Sequence, residues 1–304
     1  MAGQSTVEVS VHCVNGNCTM LQRDALAIEE PLEIRLGYEV AGKRTSHSIS
    51  VTMRTPGVPR DDFELAAGFL FGEGIIRQPS DLMRVFHCGA PLAQSGVRNT
   101  VRVDLHAGVA VDLKRLERHF YTTSSCGVCG KTSIEALETI ICHPSRADAF
   151  MLDAEVIHRL PRALRGAQEV FASTGGLHAA ALFDAAGNLT LLREDVGRHN
   201  AVDKLVGAQL LAGQMPLKDN MIFVSGRSSF ELVQKALVAG VPVLAAVGAP
   251  SSLAVELARS AGMTLLGFVR DGRFNIYAGA WRIREAGVDV PAAGTHYVCV
   301  EVRR

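Results

Sequence analysis

Apolar and polar residues alternate in several segments of the first hundred residues. The alternating segments are residues 7–11, 32–36, 48–53 and 101–105. A period of two predicts half-buried antiparallel strands, because successive side chains of a strand point to opposite faces. A turn cluster at residues 54–59 precedes a predicted helix over residues 61–71, in which Asp61 and Asp62 would lie at the positive end of the helix dipole.

The second half of the chain combines continuous apolar runs with amphipathic segments. The runs are residues 221–224, 243–247 and 264–269, and the helix-like segments between them are residues 229–238 and 253–261. Such runs are typical of strands buried on both faces, so the pattern predicts a partly parallel sheet between helices. A hairpin is predicted from residues 179–183 to 189–192, and a helix over residues 153–172 that is interrupted or kinked near Pro161.

These patterns predict an α/β protein in two parts. We assign residues 1–120 to a strand-rich N-terminal subdomain and residues 121–304 to an α/β domain, with a soft boundary between residues 108 and 124.

Composition and charge narrow the function classes. The chain has 304 residues, of which 48% are hydrophobic and 20% charged, so it can build a core without disulfides. Its 31 basic and 31 acidic residues balance, which argues against a general nucleic-acid binder. Neither a signal peptide nor a membrane span is recognisable, so a cytoplasmic protein is expected. Seven cysteines in such a chain are more typical of thiols or metal ligands than of a disulfide framework.

The clearest chemical signature is a Cys-x-x-Cys pair flanked by glycines, Cys126-Gly127-Val128-Cys129-Gly130. The next residues, Lys131 and then Thr132-Ser133-Ile134-Glu135, supply a cation and a capping box that predicts a helix to about residue 141. The pair would lie just before a helix N-terminus, where unpaired N–H groups stabilise a thiolate. Cys126 and Cys129 are therefore candidate sulfur nucleophiles.

Two other interpretations of the pair remain open. Structural zinc needs four ligands, and the second pair would have to be Cys13 with Cys18, His87 with Cys88, or Cys142 with His143. A thioredoxin-like exchanger would carry its pair after the first strand of a βαβ unit, whereas over a hundred residues precede this one. The remaining cysteines are expected to be small apolar residues; they are Cys13, Cys18, Cys88, Cys142 and Cys299.

The motifs together resemble the FdhD family, the formate dehydrogenase accessory sulfurtransferases. The resemblance rests on the Cys126 to Lys131 signature and on segments that follow in matching order from about Leu32 to Tyr277. These segments are Thr55-Pro56-Gly57, Gly68 to Ile76, Thr174-Gly175-Gly176-Leu177-His178, Glu194 to Lys204, Ser225-Gly226-Arg227-Ser228-Ser229, Gly267 to Arg270, and Arg273 to Tyr277. The loop before Asp61 is a few residues longer than the family pattern, and residues before Leu32 are not covered.

The resemblance implies a persulfide carrier with a cytidine-deaminase-like mixed sheet. A cysteine desulfurase would pass sulfur to Cys126, and the carrier would deliver it to the molybdenum or tungsten bis(pterin guanine dinucleotide) cofactor of a formate dehydrogenase. Cys129 would assist transfer or release. The cofactor would be a client, with no permanent cofactor or metal, and the family implies a homodimer.

Three polar segments are candidates for cofactor binding. In the first, Arg198 and His199 would contact phosphates or orient the sulfur donor, although the charged residues of 194–204 could instead form an internal ion-pair network. His178 fits a core histidine or a site residue equally well. In the second, Ser225, Gly226, Arg227 and Ser228 form a strand-to-helix turn suited to an anion, or simply cap the helix through Ser228 or Ser229. The resemblance links the third to cofactor binding; its residues are Phe268, Val269, Arg270, Asp271, Gly272 and Arg273.

Two further function classes are weighed against the sulfur carrier. A zinc deaminase would show H-x-E and P-C-x-x-C, but Ala180 stands two residues after His178 and Ser125 precedes Cys126. A binding chaperone would protect the cofactor without moving sulfur, and it would tolerate the loss of Cys126.

Overall fold

The computed structural model describes residues 5–57, 59–91, 98–111 and 150–284. The first part holds strands β1 Thr6–Asn15, β2 Cys18–Ala27, β3 Glu30–Val40, β4 Lys43–Arg54, β5 Leu82–Cys88 and β6 Thr100–Leu105, with helix α1 Pro59–Gly72. The later strands are β7 Leu152–Asp153, β8 His178–Phe183, β9 Leu189–Asp195, β10 Met221–Val224, β11 Val243–Ala246, β12 Thr264–Arg270, β13 Arg273–Ala278 and β14 Ile283–Arg284. The later helices are α2 Ala154–Ala167, α3 Glu169–Thr174, α4 Arg198–Leu211, α5 Phe230–Val238 and α6 Ser252–Ser260.

A four-stranded sheet in the order β4-β3-β6-β5 forms the first layer. Its strands alternate as the sequence predicts, and their inward side chains, such as Leu32, Ile34, Val101 and Val103, are completely buried. They pack in one core with α1 and with the helices of the second half. The opposite face of this sheet carries polar side chains together with exposed apolar ones such as Val51.

A six-stranded sheet in the order β13-β12-β11-β10-β8-β9 forms the second layer. Strands β10, β11 and β12 are parallel, and β8 pairs antiparallel with both β10 and β9. Ile222 and Leu244 point into the core shared with α4, α5 and α6, whereas Phe223 and Ala245 point to a second core under α2. The predicted partly parallel sheet, covered on both faces, is confirmed.

Helices α1 and α4 join the two layers at a close crossing. Gly68 and Gly207 meet there, and a Cβ atom on either would overlap a backbone carbonyl of the opposite helix, at Asp203 or Glu64 respectively. Only glycine permits this approach, so the crossing distance is fixed by the absence of two side chains.

The described residues confirm a mixed α/β fold but change some details. The predicted interruption near Pro161 is wrong, because α2 runs through Pro161 and ends at Ala167, whereas the alternative of a kink at Pro161 stays a prediction. Gln168 has non-helical backbone angles, and the Glu194 carboxylate then accepts hydrogen bonds from Val170 N and Phe171 N, which start α3. The proposed boundary at residue 120 lies outside the described residues, so the two-part division stays a prediction.

The N-terminal residues form a separate β1–β2 hairpin rather than a fifth strand of the first sheet. Strands β2, β5 and β13 were not predicted, because their exposed and half-buried positions lack a clean alternation. No helix within the described ranges has the length and apolar character to cross a lipid bilayer.

Candidate functional site

Four strands of the six-stranded sheet place their C-terminal ends at one edge, here called the loop edge. Because β9 and β10 both run antiparallel to β8, they end on the same side as β11 and β12. Backbone hydrogen bonds tie the loops together: Gly248 N donates to Gly226 O over 2.8 Å, and Phe268 N donates to Gly248 O over 3.0 Å. Ligands of open α/β sheets bind at such carboxyl ends.

Three helices begin at the loop edge. The N-cap of α4 is Gly197, that of α5 is Ser229 and that of α6 is Ser251. Ser229 and Ser251 accept hydrogen bonds from Leu232 N and Ala254 N. The positive ends of three helix dipoles therefore face the same loops, an arrangement that favours an anion.

The Ser225 to Ser228 turn is held close to its neighbours. Ser225 Oγ accepts a 2.8 Å hydrogen bond from Ala179 N, and the Gly226 Cα lies against His178, whose Nδ1 would be 3.4 Å from an added Cβ. Arg227 is exposed. Ser228 is only 1% exposed, and its Oγ has no partner among the described residues. The helix cap is Ser229, so the Ser228 hydroxyl is not used for capping.

The segment from Glu194 to Asn200 divides between two roles. Asp195 is buried and accepts hydrogen bonds from Thr55 N and Gly197 N, while Lys204 Nζ lies 2.7 Å from its Oδ2. Asn200 donates to Asp195 and to Met53 O, across to the first layer. The internal-network interpretation is therefore correct for Asp195, Asn200 and Lys204.

Arg198 and His199 are placed differently, at the first turn of α4. The buried Nε of Arg198 has no acceptor within the described residues. His199 Nε2 lies 3.2 Å from Ser229 Oγ and 3.3 Å from Glu231 Oε2. These two side chains face α5 and the loop edge instead of entering the Asp195 network.

Burial lowers the pKa of both histidines at this edge, which favours their neutral form. Burial, followed by the charges of Arg198 and Lys235, lowers the pKa of His199 to about 3 despite the nearby Glu231 carboxylate. Burial and then Arg198 also lower the pKa of His178, with partial opposition from Asp195. Positive charge at the loop edge therefore comes from arginines, and the imidazoles are available as neutral hydrogen-bonding groups.

The Phe268 to Arg273 segment forms the end of β12 and the turn into β13. Phe268 has φ +52, a left-handed conformation that a bulky side chain rarely adopts. Its half-buried side chain belongs to neither hydrophobic core of the described residues. Val269 differs, because its side chain is completely buried in the core under α2. Val269 can therefore contribute only its backbone to a site.

The arginines of this segment have different settings. Arg270 Nη1 donates to Val247 O over 2.6 Å and to Val269 O over 2.9 Å, which holds its guanidinium against the β11 loop. Arg273 lies opposite it across the turn of Asp271 and Gly272 and is exposed. The structure thus brings the cofactor candidates of all three segments to one edge.

Gly248 and Ser251 were missed by the sequence reasoning. A Cβ at Gly248 would lie 2.9 Å from Gly226 O and 3.0 Å from Arg227 Cγ, so glycine allows the two loops to touch. The signal was present: an apolar run followed by a glycine and a serine cap occurs after β11 just as it does after β10. Recognising that repeat would have predicted the paired loops.

Three of the seven cysteines lie in the part of the chain that the structure describes. Cys126 and Cys129 lie outside the described residues, as do Cys142 and Cys299. Cys13 and Cys88 are half-buried, and Cys18 is exposed, so Cys18 does not pack as a small apolar residue. His87 Nε2 lies 3.0 Å from Asp62 Oδ2. In the described ranges, no group of three His, Cys, Asp or Glu side chains could hold a metal ion.

Comparison with known proteins assigns the chain and its mixed α/β fold to a family. The FdhD/NarQ family profile matches residues 27–284. The chain belongs to the FdhD/NarQ family, as the motif resemblance predicted.

The sequence aligns with those of known relatives over nearly their whole length. The chain is 49% identical over 283 residues to a protein named sulfur carrier protein FdhD from Streptomyces avermitilis, covering 92% of this chain and 96% of the relative. It is 44% identical over 285 residues to the protein of that name from Mycobacterium tuberculosis, covering 92% and 99%.

A solved structure shares the fold. A crystal structure from Desulfotalea psychrophila, of a protein provisionally described as a formate dehydrogenase accessory protein, superposes with a TM-score of 0.69. It is 25% identical and covers 92% of this chain and 100% of that one.

Proposed function

We propose that this protein is a sulfur carrier that serves formate dehydrogenase maturation. It accepts sulfur as a persulfide on Cys126 from a cysteine desulfurase and delivers it to a molybdenum or tungsten bis(pterin guanine dinucleotide) cofactor. The observation that carries the proposal is the Cys126-x-x-Cys129 pair in a chain whose relatives, 44–49% identical, are named sulfur carriers.

The sulfur chemistry balances with the residues of the chain. The Cys126 thiolate attacks the outer sulfur of a donor persulfide, R–S–SH; the new S–S bond gives Cys126–S–SH, and R–S⁻ leaves. Attack by the Cys129 thiolate on the inner sulfur would then form a Cys126–Cys129 disulfide and release hydrosulfide, a soft ligand for the client metal. An external reductant such as a dithiol would be needed to restore the two thiols.

The loop edge supports binding of the phosphate groups of the client. An anion there would meet three helix N-termini, Arg227 and Arg273, and it could pair with the two buried donors that lack partners, Ser228 Oγ and Arg198 Nε. The strained backbone of Phe268 holds an aromatic ring that is not used by either core, as a stacking surface for a guanine would require.

Mass spectrometry tests the sulfur step. The protein is incubated with a cysteine desulfurase and cysteine, and its peptides are analysed with and without reductant. We expect one added sulfur on the Cys126 peptide that reductant removes. Cys126→Ala should carry none and should fail to activate formate dehydrogenase. Full activation by Cys126→Ala would instead establish a chaperone, and bound zinc without added sulfur would turn the pair into metal ligands.

Titration with guanosine diphosphate tests the cofactor step. Arg270→Ala, Arg273→Ala and Phe268→Gly should each weaken binding roughly tenfold, because each removes a charge-assisted or stacking contact. Phe268→Gly should also raise the unfolding free energy by about 1 kcal/mol, since glycine relieves the positive φ. Arg159→Ala, at an exposed position on α2, is the matched control. Unchanged binding in all three variants would refute this site.

We further propose that the protein acts as a homodimer, which would match a client with two nucleotide arms. Sedimentation of the full chain should give the mass of two subunits at micromolar concentration. A monomer under those conditions would reject this part without affecting the sulfur step.

A further inference from the structure

The outer face of the four-stranded sheet carries one arginine from each of its four strands. They are Arg44 on β4, Arg35 on β3, Arg102 on β6 and Arg84 on β5, and we call this set the arginine face. Arg44, Arg35 and Arg84 have 36%, 39% and 59% of their side chains exposed. No contact described for the loop edge involves these residues.

A single buried carboxylate lies at the centre of the arginine face. Asp104 is completely buried, with Arg102 Nε 2.6 Å from Oδ1, Arg84 Nε 2.7 Å from Oδ2 and Arg44 Nη1 3.9 Å from Oδ2. Gly37 occupies the neighbouring position on β3, where any side chain would overlap Asp104 and Arg102. Because residue 37 is a glycine, the Asp104 carboxylate has room to pair with the arginines around it.

The arginines have more hydrogen-bond donors than they use on Asp104. Arg84 and Arg102 each donate to the carboxylate through Nε alone, and their η nitrogens have no hydrogen-bond acceptor among the described residues. Each guanidinium thus keeps its outer donors available while its orientation is fixed. A planar pair of donors held in place is the geometry that binds a carboxylate through two parallel hydrogen bonds.

The register also brings two of the arginines side by side. Arg35 and Arg102 lie directly opposite each other on β3 and β6. Like charges that lie opposite each other tend to destabilise a sheet, and here Glu33, 3.5 Å from Arg35, and Asp104, 2.6 Å from Arg102, offset part of that cost. A neutral residue at position 35 would remove the repulsion without taking a partner from Asp104, so the charge of Arg35 is consistent with a ligand that neutralises it.

We propose that the arginine face is a docking surface for an acidic segment of a partner protein. Charge complementarity identifies the partner: its carboxylates would pair with the free η nitrogens of Arg84 and Arg102 and relieve the repulsion at Arg35. Glu33, Glu39 and Asp104 are interspersed among the arginines, a mixed pattern that suits carboxylates spaced along a peptide better than the continuous charge of nucleic acid or an anionic membrane. The proposal does not depend on sulfur transfer.

Fluorescence anisotropy on the full chain tests this surface. The probe is a labelled peptide of about ten residues alternating Glu and Gly, and the reference peptide replaces every Glu with Gln. We expect the Glu peptide alone to bind, and its affinity to fall steeply from about 0.05 M to about 0.5 M NaCl. Arg84→Gln combined with Arg102→Gln should weaken binding roughly tenfold.

Two more variants keep the test decisive. The double variant leaves Asp104 without its arginines and could unfold, so Arg35→Gln, which exposes no buried carboxylate, should independently weaken binding by about threefold. Arg159→Gln combined with Arg162→Gln removes two exposed charges from α2 and should change nothing.

Three outcomes would overturn the proposal. The first is binding of the Gln peptide as tightly as the Glu peptide. The second is undiminished binding of the Glu peptide by both Arg35→Gln and the folded double variant. The third is an arginine-dependent preference for single-stranded DNA or phosphatidylserine vesicles over the Glu peptide.

Discussion

The two sheets of this protein are built for different surroundings. The six-stranded sheet is covered by helices on both faces, and its central strands are apolar at every position, as in Met221–Val224 and Val243–Ala246. Among the described residues, the four-stranded sheet is covered on one face only, and its other face holds the arginines around Asp104. A sheet without a free face can place polar chemistry only at its strand ends, whereas a half-covered sheet can place it anywhere on its outer surface.

The difference separates two kinds of candidate site. At the loop edge, helix N-termini and partnerless buried donors converge from several loops, an arrangement suited to a small anionic ligand. On the outer face, regularly spaced guanidinium groups cover an open area, an arrangement suited to a protein surface. The proposed cofactor site and the proposed partner surface therefore lie on different sheets.

The largest expected effect comes from separating the two layers. Gly207→Ala should lower the free energy of unfolding by more than about 5 kcal/mol or prevent folding, because its Cβ would overlap the Glu64 carbonyl and a backbone cannot yield. Gly166→Ala is the matched control: it lies in α2 with open space around it and should stabilise slightly. Urea denaturation compares them, and a stable Gly207→Ala protein would show that the crossing is not tight.

A second experiment compares the faces of the two sheets directly. Phe223→Ala should lower the free energy of unfolding by about 3–5 kcal/mol, since the ring is completely buried under α2. Val51→Ala should cost less than about 0.5 kcal/mol, because Val51 is 65% exposed on the outer face of β4. Similar losses for both would mean that another surface covers the outer face.

The smallest expected effect concerns the loop edge and pH. The native pKa of His199 is depressed from 6.5 to about 3, so the unfolded chain takes up the proton first and stability falls as the pH drops through this interval. Between pH 6.5 and about pH 5 the loss reaches at most about 2 kcal/mol.

Urea denaturation of wild type and His199→Gln at the two pH values isolates this contribution. The variant should lose less stability than wild type on acidification, and His12→Gln, which removes an exposed histidine, should behave like wild type. Equal losses in wild type and His199→Gln would show that His199 is not held neutral.

Most strands and helices were predictable because their signals are local. The apolar runs at residues 221–224 and 243–247 and the amphipathic segments after them predicted strands and helices, and the structure confirms each. The end of α2 was not predictable in this way. Pro161 is the strongest local breaker, yet the helix ends at Ala167, next to the point where the distant Glu194 carboxylate caps α3.

The same distinction between local signals and long-range contacts applies to the candidate site. The composition of the 194–200 segment showed that charge is concentrated there, but not which side chains turn inward. The structure buries Asp195 against Lys204 and leaves Arg198 at the edge. Likewise, Val269 belongs to a segment linked to cofactor binding, but its side chain lies in the core under α2. Leu265 and Leu266 alternate between the two cores, and an irregularity of β12 at Phe268, which has a positive φ, then turns Val269 to the same core as Leu266.

The sequence by itself determined the family, the periodicities of the two sheets and the residue types available for chemistry, since each is encoded by neighbouring residues. Only the tertiary structure decided that the loops after β9, β10, β11 and β12 share one edge and that Arg35, Arg44, Arg84 and Arg102 share one face. The physical reason is that strand order and register arise from long-range packing. Residues such as Arg35 and Arg102 become neighbours only when hydrogen bonds join β3 to β6, and no local pattern records that pairing.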